Sequence, residues 1–431
     1  MDHFPRFHPR PVTGWVNDPN GIGFWDGRWH VMMQWNPHGA RWGDIHWAHL
    51  SSADLLAWEE HPAALSPRPG TIDAGGAWSG VAAVDDAGRR VLLYSATPAG
   101  PAEAGVAIAR PEPVDPESPD AAAALAWIQP DAMTLPHPDT PGVRDVRDPF
   151  LVEVDGRRLA LQGCRIDDRG AVLLFDARDL DAWRPLGTLL RVDDLPPSLP
   201  RRGDVWECPQ LARVGDTWVL VVSWFELTEP AANDSTGDAV GPRGVTAYAG
   251  AMVREVDGYR FVAHAGGPLD LGDAFYAPQL ATAPDGRVLC WGWVPDENRD
   301  PAAADESGWA GAVTFPREVV VDDAGVPALL PVAELEGLRG ESLGAGARVE
   351  TGEPAWVADV DGEWTVALSD GHATTPDRRV LAGSGPARVW VDGSVVEAFA
   401  PHGSTVRAYP SASESWVVTA SAGTQMWRLR P

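Results

Sequence analysis

The chain has 431 residues, of which 44% are hydrophobic and 22% charged, and its formal net charge is −27. This length exceeds one ordinary hydrophobic core and predicts two domains, and the composition is that of a globular protein. Nucleic acid and anionic membranes are excluded as expected partners, because both are bound by basic surfaces.

Targeting and redox signals are sparse. No apolar run approaches the ~18 residues of a membrane span, and the N-terminal residues lack the basic start and apolar stretch of a signal peptide. The three cysteines contain no CxxC pair, so neither a disulfide framework nor a zinc site is predicted. We therefore predict a cytoplasmic protein.

Short apolar runs broken by Gly, Asp and Pro predict strands almost throughout the chain. A tight turn followed by an apolar strand recurs five times, with turn glycines at Gly27, Gly88, Gly156, Gly215 and Gly286. Repeats of similar length, roughly 60 to 70 residues, predict a five-bladed β-propeller. Unrelated hairpins in a β-sandwich are the alternative.

Composition shifts divide the chain further. The polar stretches 111–122 and 228–244 are predicted loops, and 331–340 is a predicted linker with some helical character. We assign 1–330 to the propeller and 341–431 to a small C-terminal β-sandwich, so the expected fold is all-β.

One stretch near the N-terminus, Trp15–Gly21, mixes an aromatic, a carboxylate, two amides, a proline and a glycine. Taken alone, it is more typical of a turn than of a site. However, each repeat carries one polar residue about nine positions before its turn glycine. These residues are Asp18, Ser79, Asp148, Glu207 and Tyr276.

Equivalent positions on the innermost strands of a propeller converge on its axis, so three of these residues bring carboxylates to one mouth of the channel. Clustered carboxylates can bind a divalent cation or cleave a glycosidic bond. Tryptophans in or beside the motifs favour a sugar, since indole faces stack on sugar rings, although packing in the core is an equal alternative. These are Trp15, Trp42, Trp78, Trp206 and Trp293.

The motifs, in this order, resemble those of glycoside hydrolase family 32, the β-fructofuranosidases. The resemblance covers nearly the whole chain. It is carried by residues 15–21, 34–37, 42–58, 78–80, 147–149, 207–208, 308–311, 315–318 and 392–399.

This resemblance implies a five-bladed propeller with a β-sandwich, and it implies roles for individual residues. Asp18 would be the nucleophile, Glu207 the general acid/base and Asp148 the transition-state stabiliser. No cofactor and no metal is implied. The substrate-binding residues would be Trp15, Asn17, Gln34, Trp42, Trp78, Ser79, Arg147, Cys208, Tyr276 and Trp293.

A retaining mechanism needs an ionised Asp18, which Arg147 and neighbouring amides can favour. It also needs a protonated Glu207, whose pKa burial and a nearby carboxylate would raise. Cys208 would shape the surroundings of Glu207 or simply fill space. His46 and His49 are not expected to pair on a metal, because residues three apart in a strand face opposite ways.

The resemblance implies a small sugar substrate, with release of terminal β-fructose from sucrose or short fructo-oligosaccharides. Alternatives are a fructosyltransferase, a hydrolase for sucrose phosphate or fructan polymer, a catalytically inactive fructan-binding protein and an arabinanase-like enzyme. Trp78, Val81, Val146 and Gln210 depart from the usual family pattern, which leaves the preferred leaving group open. A homo-oligomer is also left open.

Overall fold

The computed structural model describes residues 3–113, 126–227, 241–297, 299–372 and 374–430. The predicted loops 111–122 and 228–244 lie mostly outside the described residues. The last part of the second loop is a strand instead, because Gly241 continues the strand pairing opposite Glu226. Within the described ranges, no helix is long and apolar enough to cross a membrane.

The strands before residue 332 form five sheets in which successive strands of a blade are antiparallel, and this confirms the predicted five-bladed propeller. Blade I contains β1 (Gly14–Trp25), β2 (Arg28–Asn36), β3 (His46–Ser52) and β4 (Glu59–Leu65). Blade II contains β5 (Ala77–Val84), β6 (Arg90–Ala96), β7 (Gly105–Pro111) and β8 (Trp127–Ile128). Blade III contains β9 (Val143–Val154), β10 (Arg157–Ile166), β11 (Arg169–Asp176) and β12 (Arg184–Arg191).

The remaining two blades complete the ring. Blade IV contains β13 (Val205–Val214), β14 (Thr217–Glu226), β15 (Gly241–Arg254) and β16 (Tyr259–Pro268). After β17 (Tyr276–Thr282) and β18 (Val288–Val294) of blade V, the short strand β19 (Trp309–Ala310) crosses to blade I. Blade V then ends with β20 (Ala312–Val313), β21 (Arg317–Val321) and β22 (Pro327–Pro331). β19 pairs in parallel with the start of β1 and so ties the last blade to the first.

The five turn glycines lie where they were predicted, between the first and second strand of each blade. Each has a φ in the left-handed region, from +59° to +92°, which glycine adopts without steric cost. The apolar side chains of the flanking strands pack between neighbouring blades, for example Leu93, Leu161 and Leu220 in one buried cluster.

Helices are few and short. The α-helix α1 (Pro301–Ser307) is capped by Asp300, whose side chain accepts hydrogen bonds from the backbone N–H groups of Ala302 and Ala303. The 3-10 helices are Pro101–Glu103, Val192–Asp194 and Ala333–Leu338. The last of these occupies most of the predicted linker, and its Leu335 and Leu338 are buried.

The C-terminal strands form the predicted sandwich. They are β23 (Arg339–Thr351), β24 (Ala355–Val360), β25 (Glu363–Ser369), β26 (Arg378–Ser384), β27 (Ala387–Asp392), β28 (Val395–Ala400), β29 (His402–Arg407) and β30 (Ser415–Leu429). The first half of β30 pairs with β25 and its second half with β24, so this long strand passes from one layer to the other. Trp356 and Trp416 are fully buried between the layers.

A buried ionic cluster joins the N-terminal segment, the propeller and the sandwich. Arg317 of β21 contacts Asp270 at 2.6 Å and Glu397 of β28 at 2.8 Å. The ring of His8 lies between Asp392 and the same Glu397, at 2.8 and 3.0 Å. All five side chains are nearly or fully buried, so each buried charge is matched by a partner.

Candidate active site

An irregularity interrupts the innermost strand of every blade at its polar site residue. The pairing register slips at or beside Asp18, Ser79, Asp148, Glu207 and Tyr276. A β-bulge bends its strand and changes the direction in which a side chain points. The bulges therefore explain how residues of five separate strands converge near the axis.

Four of these bulges contain a proline, which cannot donate a hydrogen bond to the sheet and is therefore tolerated there. The prolines are Pro19, Pro149, Pro209 and Pro278. In the last three cases the preceding residue has a positive φ: +59° at Asp148, +45° at Cys208 and +44° at Ala277. Non-glycine residues in this region concentrate at functional sites, where the surrounding fold holds them.

Asp18 is surrounded by hydrogen-bond donors. The Oγ of Ser79 donates to its Oδ2 at 2.5 Å, and the Nε2 of Gln34 donates to the same oxygen at 3.1 Å. Asn17 Nδ2 donates to Oδ1 at 3.2 Å. Burial and the charge of Glu207 raise the pKa of Asp18 to about 6, against these hydrogen bonds. Asp18 is therefore mostly ionised at neutral pH, as a nucleophile requires.

Arg147, which we expected to favour the ionisation of Asp18, is hydrogen-bonded to Glu207. Nε and Nη2 of Arg147 donate to Oε1 of Glu207 at 3.0 and 2.6 Å, and the Tyr276 hydroxyl donates to Oε2. Arg147 pairs with Glu207 because blade III adjoins blade IV, which carries Glu207, whereas Asp18 belongs to blade I. A contribution of Arg147 to the ionisation of Asp18 stays a prediction. Both oxygens of Glu207 thus accept hydrogen bonds, the pattern of a carboxylate.

Hydrogen bonds hold both the side chain and the backbone of Asp148. Its Oδ2 accepts a hydrogen bond from the backbone N–H of Cys208 at 2.9 Å, and its own N–H donates to Ser95 Oγ at 2.7 Å. Burial raises the pKa of Asp148, and Arg147, with Nε 4.0 Å from Oδ2, opposes this increase. The charges of the other two carboxylates raise the pKa further.

The three carboxylates line one cavity of about 280 Å³, just below the ~300 Å³ at which small-molecule sites usually begin. Its wall is formed by Asn17, Asp18, Gln34, Trp42, Trp78, Arg147, Asp148, Glu207, Phe225, Pro242, Tyr276 and Trp293. A cavity of this size suits a single small ring with polar substituents.

Three predicted substrate-binding residues lie behind this wall instead of in it. Trp15 donates from Nε1 to the side chain of Asn17 at 3.2 Å, and Ser79 is hydrogen-bonded to Asp18. Cys208 Sγ lies 3.7 Å from Asp18 Oδ2. These side chains orient lining residues and do not line the cavity themselves.

Of the tryptophans in or beside the motifs, three line the cavity and one is packed in the core. Trp42, Trp78 and Trp293 line the cavity, and Trp42 is 57% exposed, with its ring edge-on to that of Trp78. Trp206 is fully buried and donates from Nε1 to a backbone carbonyl, so it belongs to the core.

Sequence reasoning missed Phe225 and Pro242, which line the cavity from the end of β14 and the start of β15. The repeated offset marks only the strand before each hairpin turn, whereas Phe225 lies on the returning strand β14, which ends at the same mouth. The aromatic pair Trp224-Phe225 beside a polar stretch was the available signal.

The two histidines that we did not expect to pair have separate partners. His46 Nδ1 donates to the backbone carbonyl of Asp44 at 2.8 Å. His49 Nε2 lies 2.9 Å from Nδ1 of the buried His30.

An ionised carboxylate, a second carboxylate that accepts hydrogen bonds from Arg147 and Tyr276, and a third beside them can cleave a glycosidic bond through a covalent intermediate. Tryptophan faces in the wall supply stacking surfaces for a sugar. Propeller and site together define a glycosidase.

The chain belongs to family 32 of the glycosyl hydrolases, because the model of that family's N-terminal domain matches residues 8–329. This match confirms the resemblance found in the motifs.

Two relatives that are named sucrose-6-phosphate hydrolases are similar to most of this chain. A sucrose-6-phosphate hydrolase of Klebsiella pneumoniae is 35% identical over 356 residues, which cover 79% of this chain and 70% of that protein. One from Zymomonas mobilis is 32% identical over 362 residues. The match covers 78% of this chain and only 63% of that relative.

Solved structures share the fold over its full extent. The Bombyx mori β-fructofuranosidase in complex with sucrose has a TM-score of 0.79 at 23% identity, covering 99% of this chain and 94% of that one. The fructan 1-exohydrolase of Cichorium intybus in complex with 1-kestose has a TM-score of 0.75 at 20% identity, covering 99% and 98%.

Proposed function

We propose that this protein is a retaining β-fructofuranosidase that releases terminal fructose from sucrose or short fructo-oligosaccharides. The single observation that carries the proposal is the meeting of Asp18, Asp148 and Glu207, from three blades, in one small cavity. A cavity of this size accepts one sugar unit at the end of a chain and not the middle of a polymer.

In the first step, a carboxylate oxygen of Asp18 attacks the anomeric carbon of the fructosyl unit. The bond to the leaving oxygen breaks, and Glu207 gives that oxygen a proton. Glu207 must therefore be protonated and released from Arg147 when the sugar enters. Asp148, beside the reacting carbon, binds the sugar hydroxyls more tightly as positive charge develops on the ring.

In the second step, Glu207 takes a proton from water, and the water oxygen displaces Asp18 from the anomeric carbon. Here Glu207 acts as a base, and the carboxylate held by Arg147 and Tyr276 is the form it needs.

We favour uncharged sugars over sugar phosphates, although several relatives are named sucrose-6-phosphate hydrolases. Arg147 is the only cationic side chain among the described residues that line the cavity. A phosphate group would therefore meet three acidic side chains and a single cation, which already contacts one of them.

The test is a panel of sucrose, sucrose 6-phosphate, kestose, inulin and levan, read by release of fructose and by formation of trisaccharide. Asp18→Asn should abolish release from every member. Glu207→Gln should lower kcat on sucrose by about 10²- to 10⁴-fold, and far less on a fructoside with an activated leaving group that needs no proton.

Glu153→Gln, on the same strand as Asp148 but exposed, is the matched control and should leave release unchanged. Undiminished fructose release by Asp18→Asn would overturn the proposed mechanism. Trisaccharide as the main product would replace hydrolysis by transfer.

We also propose a cytoplasmic location, supported by three cysteines that are all free and buried. Retention of activity in a reducing cell extract and its absence from secreted fractions would test this. The homo-oligomer stays a prediction, which light scattering against the 46.1 kDa monomer mass can check.

A further inference from the structure

Three side chains with metal-binding atoms meet where the loop after β2 leads into β3, whose first residue is His46. They are His38, Asp44 and His46, whose ligand atoms all lie within 4.8 Å of one another. His38 Nε2 is 3.3 Å from Asp44 Oδ2, and the two imidazole rings are 5.9 Å apart. None of the three lines the catalytic cavity within the described residues.

The local hydrogen bonds orient His46 and hold the loop that carries His38. Because a carbonyl can only accept, the contact between His46 Nδ1 and the Asp44 carbonyl fixes the proton on Nδ1. Nε2 of His46 is then left with a free lone pair, which is how metal-binding histidines are usually oriented. The side chain of Asn36 also holds the loop, accepting from His38 N–H at 2.9 Å and donating to the Arg41 carbonyl at 2.8 Å.

The charge around the loop does not oppose a cation. Arg41 lies between the histidines in sequence, but its guanidinium is paired with Asp305, with Nη2 2.6 Å from Oδ2. Its positive charge is thereby neutralised by this aspartate of α1. The chain as a whole carries a formal net charge of −27, which attracts cations.

We propose that His38, Asp44 and His46 bind one transition-metal dication, with Zn²⁺ as the representative. Two imidazole nitrogens and one carboxylate oxygen suit Zn²⁺, Cu²⁺ or Ni²⁺, whereas Ca²⁺ and Mg²⁺ prefer all-oxygen sites. Water completes the coordination. The loop also carries Trp42, so the ion fixes the segment that forms one rim of the catalytic cavity.

The experiment is calorimetric titration of the full chain with Zn²⁺ after dialysis against a chelator, so it does not depend on any enzymatic activity. We expect one saturable site. His38→Ala and Asp44→Asn should each weaken its affinity at least tenfold. The side chain of His38 is 71% exposed, so its removal should leave the thermal unfolding temperature unchanged.

The matched control is His372→Ala, which removes a similarly exposed histidine beside a single aspartate, Asp370, with no third ligand among the described residues. This variant should bind Zn²⁺ like the parent. The inference is overturned if Zn²⁺ does not saturate one site, or if His38→Ala binds it with unchanged affinity. Equal binding of Ca²⁺ at the same site would also overturn it, because the nitrogen ligands would then play no part.

Discussion

The Oγ of Ser79 donates a 2.5 Å hydrogen bond to Oδ2 of Asp18, across the boundary between blades II and I. Burial raises the pKa of Asp18, and this hydrogen bond lowers it. The resulting pKa is about 6. A hydroxyl from the neighbouring blade therefore helps to keep the proposed nucleophile ionised in a site with little solvent.

Ser79→Ala removes this donor, so we expect the pKa of Asp18 to rise further. A hydrogen bond to a charged group contributes about 1.5–3 kcal/mol, which corresponds to a shift of the acidic limb by about one pH unit or more. Activity should fall more at pH 5.5 than at pH 8, as seen in the pH profile of kcat/KM. Ser369→Ala, a buried serine in the sandwich, is the control, and an identical profile in Ser79→Ala would contradict the expectation.

Arg147→Gln removes the cation that holds down the pKa of Asp148. The carboxyl should then be protonated at neutral pH and stabilise the transition state poorly. We expect kcat to fall by about 10²- to 10³-fold, in line with the loss of one electrostatic stabiliser. Arg147→Lys should recover part of the lost kcat, because lysine keeps the positive charge but not the two-donor geometry of arginine.

The control for this prediction is Arg165→Gln in the same blade, whose partners are Asp145 and Asp168. Full activity of Arg147→Gln at neutral pH would mean that the positive charge is not needed.

Trp42→Ala removes the exposed ring at the rim of the cavity. Aromatic contacts contribute about 0.5–1.5 kcal/mol, so KM should rise roughly threefold to tenfold while kcat changes little. Steady-state kinetics on sucrose measure both constants. Phe24→Ala, an exposed aromatic residue at the far end of β1, should alter neither. A fall in kcat at constant KM would assign Trp42 to the chemistry and not to binding.

His8→Gln tests the ionic cluster between the domains. Burial alone would lower the pKa of His8, but the hydrogen bonds and charges of Asp392 and Glu397 outweigh it and raise the pKa. The stabilisation is therefore fully present below pH ~6.5, the ordinary value, and is lost as the pH rises through the raised pKa. Breaking a buried pair costs about 3–5 kcal/mol, so the thermal unfolding temperature at pH 6 should fall by several degrees.

The difference between parent and His8→Gln should shrink as the pH rises through the raised pKa of His8, because the parent imidazole then loses its charge as well. His372→Gln, on an exposed loop, serves as the control. A difference that does not depend on pH would show that His8 contributes packing and not charge.

Much of the fold could be predicted because its signals are local. The turn glycines require a left-handed backbone, so their recurrence marked one hairpin for each blade. Asp18, Asp148 and Glu207 shared an offset from those turns, so the sequence could place their carboxylates together before any contact was known.

The remaining features depend on contacts between distant segments. The partner of Arg147 follows from which blade adjoins blade III, and the pairing of β19 with β1 joins residues almost 300 positions apart. Phe225 enters the cavity from a returning strand, where no repeated offset marks it. The prolines in the bulges were a local signal, but only the register of paired strands shows what they do.

The contact between His8 and Asp392 has a consequence for how the protein is made. The two residues are 384 positions apart, and a ribosome that adds about 5–20 residues per second needs roughly 20–80 s to pass from one to the other. Throughout that time His8 lacks both carboxylate partners, since Glu397 comes later still. The segment around His8, although it precedes the propeller strands in the chain, therefore reaches its native position only after the C-terminal strands β27 and β28 have been made.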